Sequence, residues 1–351
     1  MSLSVMRRTL RVVRVVRFAS GGGLLMVMGA CQGSQSVLDP AGPGNRMLNH
    51  LFYAMLAVAA IIWAAVVIAA FWAALSRRRR TREDLEPIIG PPEAEHRRHT
   101  SVVTALVGAT VLILLFFLVY DFTVGRALAQ RPSRALTIEL IGHQWWWEVH
   151  YVDPDPSKIV VDANEVHIPA GEPVQIKVTS RDVIHSFWVP NIIGKRDLIP
   201  GYTSSLFLNA DKPGIYRAQC AEFCGHEHAK MALNVVVHPR AQFTAWLAEA
   251  RAPAAHPTDS SAAEGEKVFL AGPCSACHAI TGTPAYGTVG PNLTHIASRL
   301  TIGAGTLPNT RGNLGGWVVD PQAIKPGVRM PSNQLEPKDL RALLDYLETL
   351  K

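Results

Sequence analysis

Charge is scarce in this chain. Only 18% of its 351 residues are charged and 7% are aromatic, whereas 48% are hydrophobic. A mean hydropathy of +0.13 exceeds what wholly water-soluble globular chains usually show and points to a membrane component. Cysteine is scarcer: five residues are too few for a disulfide scaffold, so their spacing has to carry their meaning. The formal charge of +6 would suit a nucleic-acid binder if it were spread along the chain, but it is not. Residues 1–17 hold five Arg and no acid, and residues 77–98 hold seven Arg against five acids. Beyond Tyr120 there are 21 Lys and Arg against 22 Asp and Glu, a balance that excludes a phosphate-binding surface and nucleic acid as partner. No internal repeat is visible.

Two long runs lack charge altogether, residues 51–75 and 101–120. Each is long enough to cross a hydrocarbon core of about 30 Å as a helix. Arg77-Arg78-Arg79-Arg80, Arg82, Arg97 and Arg98 lie between them, so the positive-inside rule predicts a cytoplasmic loop, with both termini outside. Upstream, an Arg-rich start, a short apolar stretch and Gly29-Ala30-Cys31 read as an export signal over residues 1–30. That signal is either of lipoprotein type, with Cys31 lipidated, or an ordinary leader with an incidental Cys. The expected membrane hairpin covers residues 31–125.

From residue 126 to 240 the pattern turns to short alternating runs, 135–140, 174–178 and 233–237, broken by Pro-Gly turns. This predicts an antiparallel all-β sandwich or barrel. Residues 241–264 read as a linker region, and the overlapping stretch 252–265 is rich in Ala, Pro and Ser. A flexible tether of that length reaches about 20 Å and leaves the following domain only weakly docked. Residues 265–351 begin and end with helical spacing and predict an all-α domain.

Near the end of the sheet region stands Cys220-Ala221-Glu222-Phe223-Cys224-Gly225-His226-Glu227-His228-Ala229-Lys230-Met231, with His185 upstream. Thiolate, imidazole and thioether together favour copper, and the second Cys allows two coppers bridged by both sulfurs. A Cys220–Cys224 disulfide, or zinc on two Cys and two His, are the alternatives, and zinc has little use for Met231. The fourfold spacing from Cys220 through Cys224 favours His228 over His226. Farther on, Cys274-Ser275-Ala276-Cys277-His278 is the c-type haem attachment pattern, with His278 as the proximal iron ligand. Gly290-Pro291-Asn292-Leu293 and Gly327-Val328-Arg329-Met330-Pro331 follow it.

On these residues, together with Gly142-His143-Gln144-Trp145-Trp146-Trp147 and Asp182-Val183-Ile184-His185-Ser186-Phe187, the chain resembles cytochrome c oxidase subunit II over residues 51–239. Its C-terminal region resembles a fused class I cytochrome c. The resemblance implies two transmembrane helices, a cupredoxin-like sandwich and a cytochrome c domain on the outer face of a bacterial plasma membrane. It implies a dinuclear CuA on His185, Cys220, the Glu222 carbonyl, Cys224, His228 and Met231, and covalent haem c on Cys274, Cys277, His278 and Met330. A Mg2+ shared with subunit I at the Glu222 side chain follows from it too.

Trp145 maps to the exposed residue where electrons enter, on the strand face it would share with Trp147. The implied partners are subunit I with haem a and CuB, subunit III, membrane lipid, and a cytochrome c or bc complex as donor. The implied activity is electron transfer from haem c to CuA and on to subunit I, where oxygen is reduced and protons are translocated. The rivals are a CuA-bearing nitric oxide reductase subunit and a membrane-anchored electron carrier. One departure stands out: the Glu that many relatives carry at the start of the second span is absent from His99-Thr100-Ser101-Val102-Val103.

Overall fold

The computed structural model describes residues 33–77, 93–130, 132 and 135–351; the expected export signal, Cys31 and Arg78–Arg82 lie outside them. Two helices, α1 (Pro43–Arg77) and α2 (Glu93–Leu128), form a unit of their own. Their apolar stretches reach a mean hydropathy of 2.7 and 2.9, and they show large side chains such as Trp63, Trp72 and Leu112 on the surface. Helices apolar all round belong in lipid. Each runs several residues past the uncharged core read from the sequence, because flanking polar residues continue the helix once the span has nucleated it.

The second unit begins with a strap, residues 33–45, that lies on a β-sandwich. Ala41 is buried; its N–H donates to Asn191 O at 2.7 Å and its carbonyl accepts from Asp211 N at 2.9 Å. The sandwich has two five-stranded sheets. One contains β1 (Leu136–His143), β2 (Trp146–Tyr151), β3 (Val160–Ala163), β5 (Val174–Ser180) and β8 (Ser204–Leu208), in the order β3-β2-β1-β5-β8. The other contains β4 (Glu165–Pro169), β6 (His185–Val189), β7 (Ile193–Leu198), β9 (Gly214–Cys220) and β10 (Ala232–His238), in the order β4-β10-β9-β6-β7. Period-two alternation sends Val174, Ile176 and Val178 inward from β5, where they meet Ile138, Leu140, Trp147 and Phe187. Both sheets are mixed, since β1 pairs in parallel with β5 and β10 in parallel with β4.

Helix α3 (Arg240–Ala250) occupies the start of the segment read as a linker. It packs on the sandwich through buried Phe243 and through Trp246, whose ring stacks 4.1 Å from that of His167. The connector that follows is pinned on both sides. Arg251 pairs with Asp153 at 2.7 Å, and Ala254 N donates to Thr281 O at 2.8 Å.

The C-terminal domain is built on α4 (Ser260–Ala271), the short α5 (Cys274–Cys277), α6 (Arg311–Val319), α7 (Pro321–Ile324) and α8 (Pro337–Thr349). A two-residue-strand hairpin, β11 (Thr301–Ile302) with β12 (Leu307–Pro308), interrupts them. Helices α4 and α8 cross at Gly265, where a Cβ would stand 1.9 Å from Ala342 O; any other residue would push the helices apart. Phe269, Leu343, Tyr346 and Leu347 fill the core beneath.

The two domains are docked through buried polar contacts, so the loose tether expected from composition does not describe them. Asp162 accepts from Arg299 Nε at 3.0 Å and Nη2 at 2.7 Å, with both side chains nearly inaccessible. Glu165 accepts from Leu300 N at 2.7 Å, and Ala232 N donates to Ala304 O at 3.0 Å. Breaking a buried ion pair from one side strands the other charge. Asp162→Ala should therefore cost about 3–5 kcal/mol, seen as a lower thermal midpoint and faster amide exchange at Leu300.

Candidate metal centre and haem cleft

Cys220 is the last residue of β9, and its N–H donates to Met231 O at 2.9 Å. This bond closes residues 221–230 into a loop at one end of the sandwich. Inside it Gly225 adopts φ +113°, and a Cβ there would lie 3.0 Å from Gln144 Nε2 and 3.2 Å from Trp145 Cζ2; both facts require glycine. His185 opens β6 and is fully buried. Gly142 makes room for it, since a Cβ at that position would stand 2.7 Å from His185 Cδ2.

The loop and β6 bring together the side chains that the spacing singled out. The Sγ atoms of Cys220 and Cys224 are 3.7 Å apart, far beyond the ~2.05 Å of a disulfide, and both thiols are free. His185 Nδ1 lies 3.9 Å from Cys220 Sγ, and His228 Nδ1 lies 3.5 Å from Cys224 Sγ. Met231 Sδ is 3.7 Å from Cys224 Sγ, while the Glu222 carbonyl accepts from Cys220 Sγ at 3.1 Å. His226 and the Glu222 side chain are exposed. Two thiols, two imidazoles, a thioether and a carbonyl thus face one another. That donor set suits two coppers bridged by sulfur, and the buried thioether sets it apart from a zinc site.

The hydrogen bond with Cys224 draws the Cys220 thiol well below its ordinary pKa, and the same bond pushes Cys224 up. A metal held by both sulfurs would displace their protons. Asp182 accepts from His185 Nε2 at 2.9 Å, which leaves Nδ1 with its lone pair toward the sulfurs. Asp182 is itself held by Gln144 N at 2.7 Å and Val183 N at 2.8 Å. It stands three residues before His185 in the quoted motif, but only the fold gives it a role.

In the C-terminal domain one cleft is lined by Cys274, Cys277, His278, Trp317 and Met330. His278 Nδ1 donates to Pro291 O at 2.7 Å, and burial pushes its pKa down, so Nε2 is offered as a neutral donor. A Cβ at Gly290 would lie 2.6 Å from His278 Cε1. The Met330 loop is held by Gln322, whose Nε2 donates to Met330 O at 2.7 Å and whose Oε1 accepts from Gly327 N at 2.9 Å. Sequence reading passed over Gln322, because a polar side chain binding backbone leaves no pattern in spacing. Two thiols, a neutral imidazole and a thioether in an apolar cleft fit a covalent haem.

Trp145 lies in the turn between β1 and β2 rather than on a strand, so the expected alternation of the three Trp does not apply. Trp147 is in the core, and Trp146 stacks on His143 at 4.3 Å. Trp145 Nε1 donates to Cys224 O at 3.0 Å, while its ring lines the cleft of the neighbouring domain.

His228→Ala should lose copper while His226→Ala retains two atoms per chain, as counted by metal analysis alongside the mixed-valence paramagnetic signal. Gly290→Ala should press on the His278 ring, cost about 1–3 kcal/mol and lower the covalent haem content read by absorbance.

Residues 154–238 match the family described as cytochrome c oxidase subunit II, periplasmic domain, and residues 262–351 match cytochrome c. Cytochrome c oxidase subunit 2 of Alkalihalophilus pseudofirmus is 33% identical over 345 residues, covering 95% of this chain and 97% of that protein. The subunit of the same name from Bacillus subtilis is 26% identical, covering 93% of this chain and 95% of that protein. Among solved structures, the periplasmic domain of cytochrome oxidase subunit II from Bradyrhizobium japonicum is 31% identical. It matches 35% of this chain and 97% of its own, with a TM-score of 0.33. Near-complete coverage at this identity, with both domains matched in order, shows that the chain belongs to the cytochrome c oxidase subunit II family and carries a cytochrome c domain at its C-terminal end.

Proposed function

We propose that this subunit receives single electrons in its cytochrome domain and passes them through Trp145 to a dinuclear copper site. From there they go to subunit I, where oxygen is reduced to water with proton translocation. The observation that carries this reading is the double contact of Trp145: a hydrogen bond to the Cys224 carbonyl and a ring at the wall of the haem cleft. When bound, the coppers and the haem iron supply one-electron redox centres. The chain supplies everything around them. Cys220, Cys224, His185, His228, Met231 and the Glu222 carbonyl would hold the coppers. Cys274 and Cys277 would bond the haem, and His278 and Met330 would hold its iron. Burial of His185 and Met231 keeps water from the copper donors and so limits rearrangement on electron gain.

The Arg-rich segment between the helices would lie in the cytoplasm, with both metal-binding domains on the outer face. The exposed Glu222 carboxylate is the proposed contact for a Mg2+ shared with subunit I. Subunit III and membrane lipid complete the proposed surroundings, and a cytochrome c or bc complex is the proposed donor.

Trp145→Phe keeps an aromatic ring but removes the indole N–H. In the assembled oxidase it should slow haem-to-copper transfer by roughly tenfold or more, about 1.4 kcal/mol in barrier, with copper and haem content unchanged. Trp146→Phe should transfer at the normal rate. Flash-initiated electron transfer is the measurement, and an unaltered rate in Trp145→Phe would send the path elsewhere.

A further inference from the structure

Lys325 is 1% exposed and ranks among the largest fully buried side chains of the chain. Lysine is almost never buried to this degree without a partner, and no carboxylate lies in hydrogen-bond contact with its amine among the described contacts. Instead Nζ donates to three backbone carbonyls: Trp145 O at 2.8 Å, Lys230 O at 2.8 Å and Gly303 O at 2.9 Å. An ammonium has three N–H donors and no acceptor, so each donor is used once. Gly303 belongs to the domain of Lys325, in the turn between β11 and β12. The other two carbonyls belong to the sandwich. One is that of Trp145 itself; the other belongs to the residue before Met231.

The contact is reciprocal. Lys230 Nζ donates to Ile324 O at 2.8 Å and pairs with buried Glu227 at 3.2 Å. Neighbouring lysines from two domains thus each donate across the seam to backbone next to the other. At the same place the Trp145 ring lies against the Met330 loop, where a Cβ on Gly327 would be 3.6 Å from Cη2 and Cζ3 of the indole. The Asp162–Arg299 pair fastens the seam from another strand of the sandwich.

We propose that Lys325 is a positioning residue that clamps the cytochrome domain to the sandwich with Trp145 fixed between the two metal-binding sites, so that the electron crosses inside one rigid body. A tethered domain that docks and leaves would be the opposite arrangement. The proposal rests on the electron path through Trp145 for its purpose, but not for the existence of the clamp. Without the ammonium, three carbonyls lose their buried donor and the turn carrying Trp145 is free to shift. A misplacement of about 1 Å at such a contact can cost up to roughly a hundredfold in rate.

The test is Lys325→Met in the full chain within the assembled oxidase, followed by flash-initiated electron transfer in buffers of increasing glycerol content. Wild type should transfer at a rate independent of viscosity. In Lys325→Met the rate should fall by roughly tenfold or more and become viscosity-dependent, with the haem absorption and copper paramagnetic spectra unchanged. Amide exchange should rise in residues 144–147 and 301–305. Lys230→Met, which removes a half-exposed donor and leaves the buried lysine in place, should shift the same readouts in the same direction by less. It serves if Lys325→Met does not assemble. A viscosity-independent, wild-type rate in either assembled variant would overturn the clamp. If Lys325→Met behaves as expected while Trp145→Phe transfers normally, the clamp stands and the path through Trp145 falls.

Discussion

The carbonyl oxygen of Cys224 accepts two hydrogen bonds, from Gln144 Nε2 at 2.8 Å and from Trp145 Nε1 at 3.0 Å. Much of the fold exists so that one turn can reach this oxygen. The β1–β2 hairpin carries Gln144 and Trp145 to the end of the sandwich where the cysteine loop closes. Gly225 allows the loop to turn under the indole without a clash. Gly142, two residues before Gln144, leaves the space that the His185 ring fills, so the segment that delivers Trp145 also seats a metal-ligand candidate. Moving this hairpin would disturb the candidate copper donors and the contact with the cytochrome domain together.

The candidate donors stand out from chain spacing because their chemistry is compressed into short segments. Cys220, Cys224, His228 and Met231 fall within a single loop, and Cys274, Cys277 and His278 within one helical turn and the residue after it. His185 was legible because it opens a strand next to a recognisable motif. The position of Trp145 was misread, since three consecutive Trp look like strand until the turn at Gln144 is known. Asp182, Gln322 and Lys325 were not legible at all. Each binds backbone, or a ring brought from elsewhere, and such partners follow from tertiary geometry rather than sequence pattern.

Linker composition is a poor guide to how the domains meet. A segment rich in Ala, Pro and Ser suggests weak association, yet the seam is held by a few groups that are well covered and individually matched. Asp162 faces Arg299, Glu165 receives the Leu300 amide, and Lys325 faces three carbonyls. Buried and fully paired, such groups fix a single arrangement, because sliding the surfaces would strand every one of them. Arg299 also donates to Asn292 O at 2.5 Å, one residue from the carbonyl that orients His278, so the seam and the haem-binding loop share a side chain.

The covering of Trp145 by the Met330 loop changes which surface can choose a redox partner. Under the proposed electron path, a face filled by the chain's own domain would be closed to soluble proteins, and the sandwich would give up the task of telling one donor from another. That selection would pass to whatever part of the haem cleft stays open to solvent. The cleft lining includes Val289, 55% exposed, and Arg329, whose side chain is 62% exposed. Under the proposed electron path, discrimination among donors at such a rim would draw on apolar fit together with the Arg329 charge, and the second of these would weaken as salt screens it.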